Sequence, residues 1–121
     1  MLPARALLLL FGLVLTVPGA AGAHGILERT DPRVGSTVKA PPAQVRLWFT
    51  GALEPAYSRV QVLDAAGTRV DLDGGALDPD NRVLLRVSIP ALVPGRYRVK
   101  WRVLSVDSHV TEGEFTFGVA P

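Results

Sequence analysis

The chain has 121 residues, no cysteine, and 13 basic against 11 acidic side chains. Its length suits one modest domain, and the lack of cysteine excludes disulfides, zinc–thiolate sites and cysteine nucleophiles. The near balance of charge argues against a nucleic-acid partner.

The amino-terminal stretch predicts a secretory signal peptide rather than folded structure. Arg5 supplies a short basic region, Leu7–Val17 is an almost unbroken apolar run, and a Pro-Gly break precedes the small residues Ala21-Gly22-Ala23. This is the layout of a cleavable signal, and the apolar run is shorter than the roughly 20 residues that a membrane-spanning helix needs. We therefore expect a signal peptide over residues 1–23, a mature domain over 24–121, and a periplasmic or secreted protein.

From His24 onward, apolar and polar residues alternate with a period of two, which is typical of β-strands with one buried face. The alternation is clearest in residues 45–49, 60–62, 83–89, 97–103 and 115–119. No stretch of the mature chain shows a helical apolar stripe. The pattern predicts an all-β domain, a β-sandwich of about seven short strands.

Two polar stretches have simple structural interpretations. Asp71–Asn81 is acidic and rich in turn residues, but its spacing fits no EF-hand, so a connecting loop is favoured over a calcium site. Arg96, Arg98, Lys100 and Arg102 are spaced by two. This spacing favours a solvent-facing strand edge over a phosphate-binding stripe.

The two histidines suggest a metal site. Cleavage after Ala23 would make His24 the first residue, and its α-amine and Nδ1 could then chelate one ion. His109 is the other histidine, and Asp107 lies two residues before it. In extended backbone these two side chains would project from the same side. Such a nitrogen-rich set suits Cu(II), whereas Cu(I) prefers sulfur ligands, which the mature chain lacks.

A series of short motifs extends this hypothesis over the whole mature chain. They are His24-Gly25-Ile26-Leu27, Thr30-Asp31-Pro32, Gly35-Ser36, Ala40-Pro41-Pro42, Val45-x-Leu47-x-Phe49, Pro94-Gly95-x-Tyr97-x-Val99-x-Trp101, Ser105-x-Asp107-x-His109 and Gly113-x-Phe115-x-Phe117. In these motifs the chain resembles the CopC-type family of periplasmic copper-binding proteins.

The resemblance implies a single Greek-key β-sandwich, immunoglobulin-like or cupredoxin-like, that carries copper in copper resistance or uptake. It implies a Cu(II) site formed by His24, Asp107 and His109, and a membrane copper transporter of the CopD type as a partner. We expect a monomer without enzymatic activity. Hydrolytic catalysis in particular has no general base, since both histidines are assigned to the metal.

Two departures from the family pattern matter. Residues 64–81 contain neither the methionine nor the histidine that members with an added Cu(I) site carry in mid-chain. Some members also have an acidic residue shortly after the Leu-x-Phe strand. Here that stretch is residues 50–54, and we do not expect Glu54 to serve as an extra ligand. Two alternatives stay open. One is a small copper-oxygenase-like enzyme with a histidine brace, and the other is a metal-free immunoglobulin-like interaction module.

Overall fold

The computed structural model describes Gly12 and residues 25–121. Its elements are β1 (Leu27–Asp31), β2 (Thr37–Val38), β3 (Gln44–Phe49), a short 3-10 helix (Pro55–Tyr57), β4 (Arg59–Leu63), β5 (Ala76–Asp78), β6 (Asn81–Ser88), β7 (Gly95–Leu104) and β8 (Val110–Val119). The predicted all-β architecture is confirmed. Within this described part, no helix is long and apolar enough to cross a bilayer.

The strands form two four-stranded sheets. The first has the order β1-β3-β6-β5 and the second has the order β2-β8-β7-β4. Neighbouring strands are antiparallel except β2 and β8, which are parallel. The longest pairing joins β7 and β8, where ten residues of each strand are in register from Gly95↔Val119 to Leu104↔Val110. These two strands make a rigid base for the loop that connects them.

The facing surfaces of the two sheets enclose one hydrophobic core. It consists of Val45, Leu47, Phe49, Leu53, Val60, Val62, Leu85, Val87, Ile89, Leu92, Tyr97, Val99, Val103, Phe115, Phe117 and Val119. Aromatic rings cross it in two pairs: Phe49 meets Trp101 edge-on at 5.2 Å between ring centroids, and Tyr97 stacks on Phe117 at 5.6 Å. Truncation of such a buried ring to alanine typically costs about 3–5 kcal/mol.

The row of basic residues lies on the outer face of the second sheet. Arg96, Arg98, Lys100 and Arg102 are exposed, as predicted, but β7 lies between β8 and β4, so the prediction of a strand edge is wrong. Arg102 lies 3.7 Å from Glu112, and both side chains are about two-thirds exposed. An ion pair that exposed contributes little stability. The row is a solvated sheet face.

The acidic segment 71–81 is more ordered than a plain connecting loop, because it contains β5 and a buried carboxylate. The Asp71 side chain is fully buried. It accepts hydrogen bonds from the backbone N–H groups of Val62 and Gly74, each at 2.9 Å, and from the Arg69 guanidinium. Burial by itself raises the pKa of Asp71, but the hydrogen bonds lower it by a larger amount. The net pKa of Asp71 therefore lies below its ordinary value.

Asp71 should therefore make stability depend on pH in the acid range. A carboxyl with a lowered folded-state pKa stabilises the fold above its unfolded pKa of about 3.9, and this contribution is lost as the pH falls through the folded value. We expect Asp71→Asn to lower the free energy of unfolding by about 1–3 kcal/mol at neutral pH. Urea unfolding of Asp71→Asn and the unsubstituted chain should show this gap narrowing below about pH 4.

The matched control is Asp31→Asn. Asp31 pairs with Arg46 on the surface, and its side chain is 55% exposed. Its substitution should cost less than about 1 kcal/mol at any pH. If Asp71→Asn lowers the free energy of unfolding by the same amount at acid and at neutral pH, the role given to the Asp71 carboxylate is wrong.

Candidate metal centre

The loop between β7 and β8 carries two of the three predicted metal ligands. Asp107 Oδ1 lies 3.3 Å from His109 Nδ1, and the two side chains are 34% and 54% exposed. A carboxylate oxygen and an imidazole nitrogen thus meet at the protein surface. Donors that bind one ion through bonds of about 2 Å must lie within about 4 Å of each other. The pair satisfies that condition.

The backbone brings this pair together in a way that the sequence does not predict. The expectation of an extended segment is wrong, because residues 105–109 form a tight turn. Ser108 N donates to Ser105 O at 2.9 Å, and Ser105 N donates to His109 O at 2.9 Å. Ser108 has a φ of 71°, in the left-handed region that side chains other than glycine rarely adopt. Such a residue costs roughly 1–3 kcal/mol and must be held by its surroundings.

Ser105 provides much of that support. It is 1% exposed, and its hydroxyl donates a hydrogen bond to Asp107 Oδ1. Ser105 Oγ in turn accepts a hydrogen bond from His109 N at 3.3 Å. The sequence indicates Ser105 only as a motif member, since a serine before an Asp-x-His pair does not by itself predict a buried hydroxyl. The structure identifies it as the residue that joins both ends of the turn.

The beginning of the described segment 25–121 lies against the same loop. Gly25 is buried, and a β-carbon at that position would lie 3.0 Å from Leu53 Cδ2 and 3.6 Å from Ser105 Cβ. Its carbonyl oxygen accepts a hydrogen bond from Thr111 Oγ1 at 2.7 Å. The third predicted ligand, His24, lies outside the described residues. Gly25, the covalent neighbour of His24, therefore lies close to Ser105, the residue at which the Asp107–His109 turn begins.

Among the residues that the structure describes, no other acidic side chain joins the Asp107–His109 pair. Across Gly12 and residues 25–121, no three His, Cys, Asp or Glu side chains cluster closely enough to hold a metal ion. Glu54 uses its backbone N–H to bond Leu104 O at 2.8 Å, and its carboxylate forms no such cluster with Asp107 and His109. A calcium site in segment 71–81 is likewise unsupported. A metal ion at the β7–β8 loop needs donors in addition to this pair.

Comparison with known proteins gives consistent matches. The family model described as the CopC domain matches residues 27–120. The copper transport protein CutJ of Bacillus subtilis is 30% identical over 93% of this chain, which spans only 21% of the length of CutJ. The crystal structure of CopC from Methylosinus trichosporium OB3b is 40% identical, with a TM-score of 0.76 over 81% of this chain and 95% of that one. PcoC, a methionine-rich copper resistance protein from Escherichia coli, is 27% identical, with a TM-score of 0.71 over 80% of this chain and 99% of PcoC.

Proposed function

Because the chain belongs to the CopC domain family, we propose that it is a non-catalytic protein of copper resistance or transport whose cargo is Cu(II). The observation that carries this proposal is the contact of 3.3 Å between Asp107 Oδ1 and His109 Nδ1, beside the buried start of the described chain at Gly25. Nitrogen and oxygen donors of this kind are the set that Cu(II) prefers, in a tetragonal arrangement.

The proposed ligands are the α-amine and Nδ1 of His24 together with His109 and Asp107. Only a chain that begins at His24 has the free α-amine, so the site requires removal of residues 1–23 by a signal peptidase. Such processing accompanies export, and we place the protein in the periplasm or outside the cell.

The proposed oxidation state follows from the donor chemistry of this chain. Its one methionine is Met1, which would leave with the signal peptide, and it has no cysteine. Cu(I) prefers thiolate and thioether sulfur. The relative PcoC is methionine-rich, a property that this chain does not share. Imidazole, amine and carboxylate donors favour Cu(II).

The surface position of the pair supports transfer of copper to another protein. With the Asp107 and His109 side chains 34% and 54% exposed, a partner's ligands can approach the ion without unfolding the carrier. A membrane copper transporter of the CopD type is the partner that we propose. We also propose that the carrier is a monomer, since the two sheets bury their apolar faces against each other within one chain.

Neither alternative left open by the sequence gains support from a specific observation. In a histidine-brace oxygenase, the copper plane must leave room for oxygen, whereas Asp107 lies within reach of the ion that His109 would hold. A metal-free interaction module would give Asp107 and His109 no shared role.

Equilibrium dialysis tests the proposal. The protein beginning at His24 should retain one Cu(II) per chain at about pH 7.5, and progressively less as the pH falls. The decline is expected because a free α-amine, whose usual pKa is about 7.7–8.0, must lose its proton to bind. A processed, folded protein that retains no copper at pH 7.5 would show that the proposal is wrong, and would favour the interaction module.

A further inference from the structure

We propose that Thr111 is a positioning residue for the copper site: its hydroxyl holds Gly25, and thereby the His24 α-amine, beside the Asp107–His109 loop. This inference rests on the proposed function and assigns a role to a residue outside the ligand set. The contact that motivates it is the 2.7 Å hydrogen bond from Thr111 Oγ1 to Gly25 O, which joins residues 86 positions apart in the chain.

The start of the described segment 25–121 is attached to both sheets. Ile26 exchanges two hydrogen bonds with Thr50, just after β3 of the first sheet: Thr50 N donates to Ile26 O at 2.9 Å, and Ile26 N donates to Thr50 Oγ1 at 3.2 Å. Gly25 accepts its hydrogen bond from Thr111, in β8 of the second sheet. Residues 25 and 26 thus bridge the two sheets at one end of the sandwich.

Thr111 connects this bridge directly to a proposed ligand. It follows His109 by two residues, at the beginning of β8, and pairs with Val103 of β7. The same strand therefore carries the attachment point of the chain start and continues directly from the His109 loop. Because β7 and β8 are paired along ten residues, a rigid pair of strands sets the separation between His109 and the Thr111 hydroxyl that holds Gly25.

Close packing at Gly25 also restricts the conformation of the backbone there. A β-carbon there would lie 3.0 Å from Leu53 Cδ2 and 3.7 Å from Val103 Cγ2, so the backbone is held against the core. His24 is covalently joined to Gly25, and consecutive α-carbons are about 3.8 Å apart. The entropy lost on ordering this segment is then lost during folding rather than on copper binding, which raises the affinity for the ion.

The test compares Thr111→Val with Thr111→Ser in the protein that begins at His24. Valine keeps the shape and the β-branch of threonine but removes the hydroxyl, whereas serine keeps the hydroxyl. Competition with a Cu(II) chelator should give an affinity about 10-fold weaker for Thr111→Val, the size of effect that residues supporting metal ligands commonly have. Thr111→Ser should bind within about twofold of the unsubstituted protein.

A double-mutant cycle separates positioning of the chain start from a general effect on β8. The same substitutions are measured in protein whose His24 α-amine has been acetylated, where the remaining copper site is weak and the position of that nitrogen no longer matters. In the acetylated protein, Thr111→Val should cause no further loss of Cu(II) affinity. Urea unfolding of each variant is measured alongside. If Thr111→Val unfolds at a much lower urea concentration than the unsubstituted protein, Thr111→Ala is used as a second variant without the hydroxyl.

Two results would overturn this inference while leaving the proposed function intact. The first is copper affinity in Thr111→Val equal to that of the unsubstituted protein. The second is the same fold-loss in acetylated and unmodified protein, which would mean that Thr111 acts through the β7–β8 strands alone. Failure of the unsubstituted protein to bind copper would instead overturn the proposed function and, with it, this role for Thr111.

Discussion

Acetylation of the His24 α-amine should weaken Cu(II) binding by about 100-fold or more, because it removes a direct ligand and even supporting residues around metal ligands are worth about 10–100-fold. The acetylated nitrogen is an amide, which is a poor donor until it loses its proton. The α-amine can be modified selectively near neutral pH, since its usual pKa of about 7.7–8.0 lies well below the lysine value of about 10.4. Affinity is measured by competition with a chelator of known strength.

The matched control removes the only other amines. The chain beginning at His24 contains two lysines, Lys39 and Lys100. A Lys39→Arg, Lys100→Arg variant should bind copper like the unsubstituted protein and leave the α-amine as the sole amine to acetylate. Acetylation is preferable to retaining Ala23, because that residue would introduce a new α-amine within chelating distance. Tight binding that survives complete acetylation would mean that the amine is not a ligand.

Substitution of His109 should have an effect of similar size. His109→Gln keeps a polar side chain of comparable length but removes the imidazole, so we expect a loss in Cu(II) affinity of about 100-fold. His109 is 54% exposed, so the free energy of unfolding should change by less than about 1 kcal/mol. Chelator competition and urea unfolding on the same samples separate lost binding from lost folding.

Asp31→Asn serves as the control for surface charge near a strand, since Asp31 pairs with Arg46 and belongs to β1 in the first sheet. It should leave copper affinity unchanged. If His109→Gln retains full affinity, the ion is bound elsewhere, and the contact between Asp107 and His109 has another purpose.

The sequence predicts β3, β4 and β7 well because burial alternates along these strands. In β3, Val45, Leu47 and Phe49 are buried while the residues between them are partly exposed, which is the pattern from which the strand was inferred. The strands β1, β2 and β5 are three of the four edge strands. They bury few residues and do not alternate, so no period of two announces them.

Local patterns also fail where the packing of the chain buries a polar side chain. Asp71 lies in a stretch whose composition indicates a loop, yet its carboxylate is covered and receives hydrogen bonds from Val62 and Arg69. Side chains of aspartate are rarely buried unless paired. Pairing of this kind depends on how β4 and the following turn approach each other, which composition does not encode.

The candidate site also combines residues that the sequence predicts with contacts that it does not. The sequence points to Asp107 and His109 because the chain has few residues that could bind a metal ion through nitrogen. The structure places Asp107 Oδ1 and His109 Nδ1 3.3 Å apart. The left-handed Ser108 and the buried Ser105 that form the turn follow from tertiary contacts. The bond from Thr111 to Gly25 spans 86 positions, and no local motif predicts a contact between residues so far apart.

The most direct measurement is the EPR spectrum of the protein beginning at His24 with one equivalent of isotopically pure Cu(II), before and after acetylation of the α-amine. The proposed ligands predict hyperfine coupling to three nitrogens, from the amine, His24 Nδ1 and His109, falling to two in the acetylated protein. Identical spectra before and after acetylation, or a spectrum with no coupling beyond a single nitrogen, would contradict a copper site built on the freed chain start.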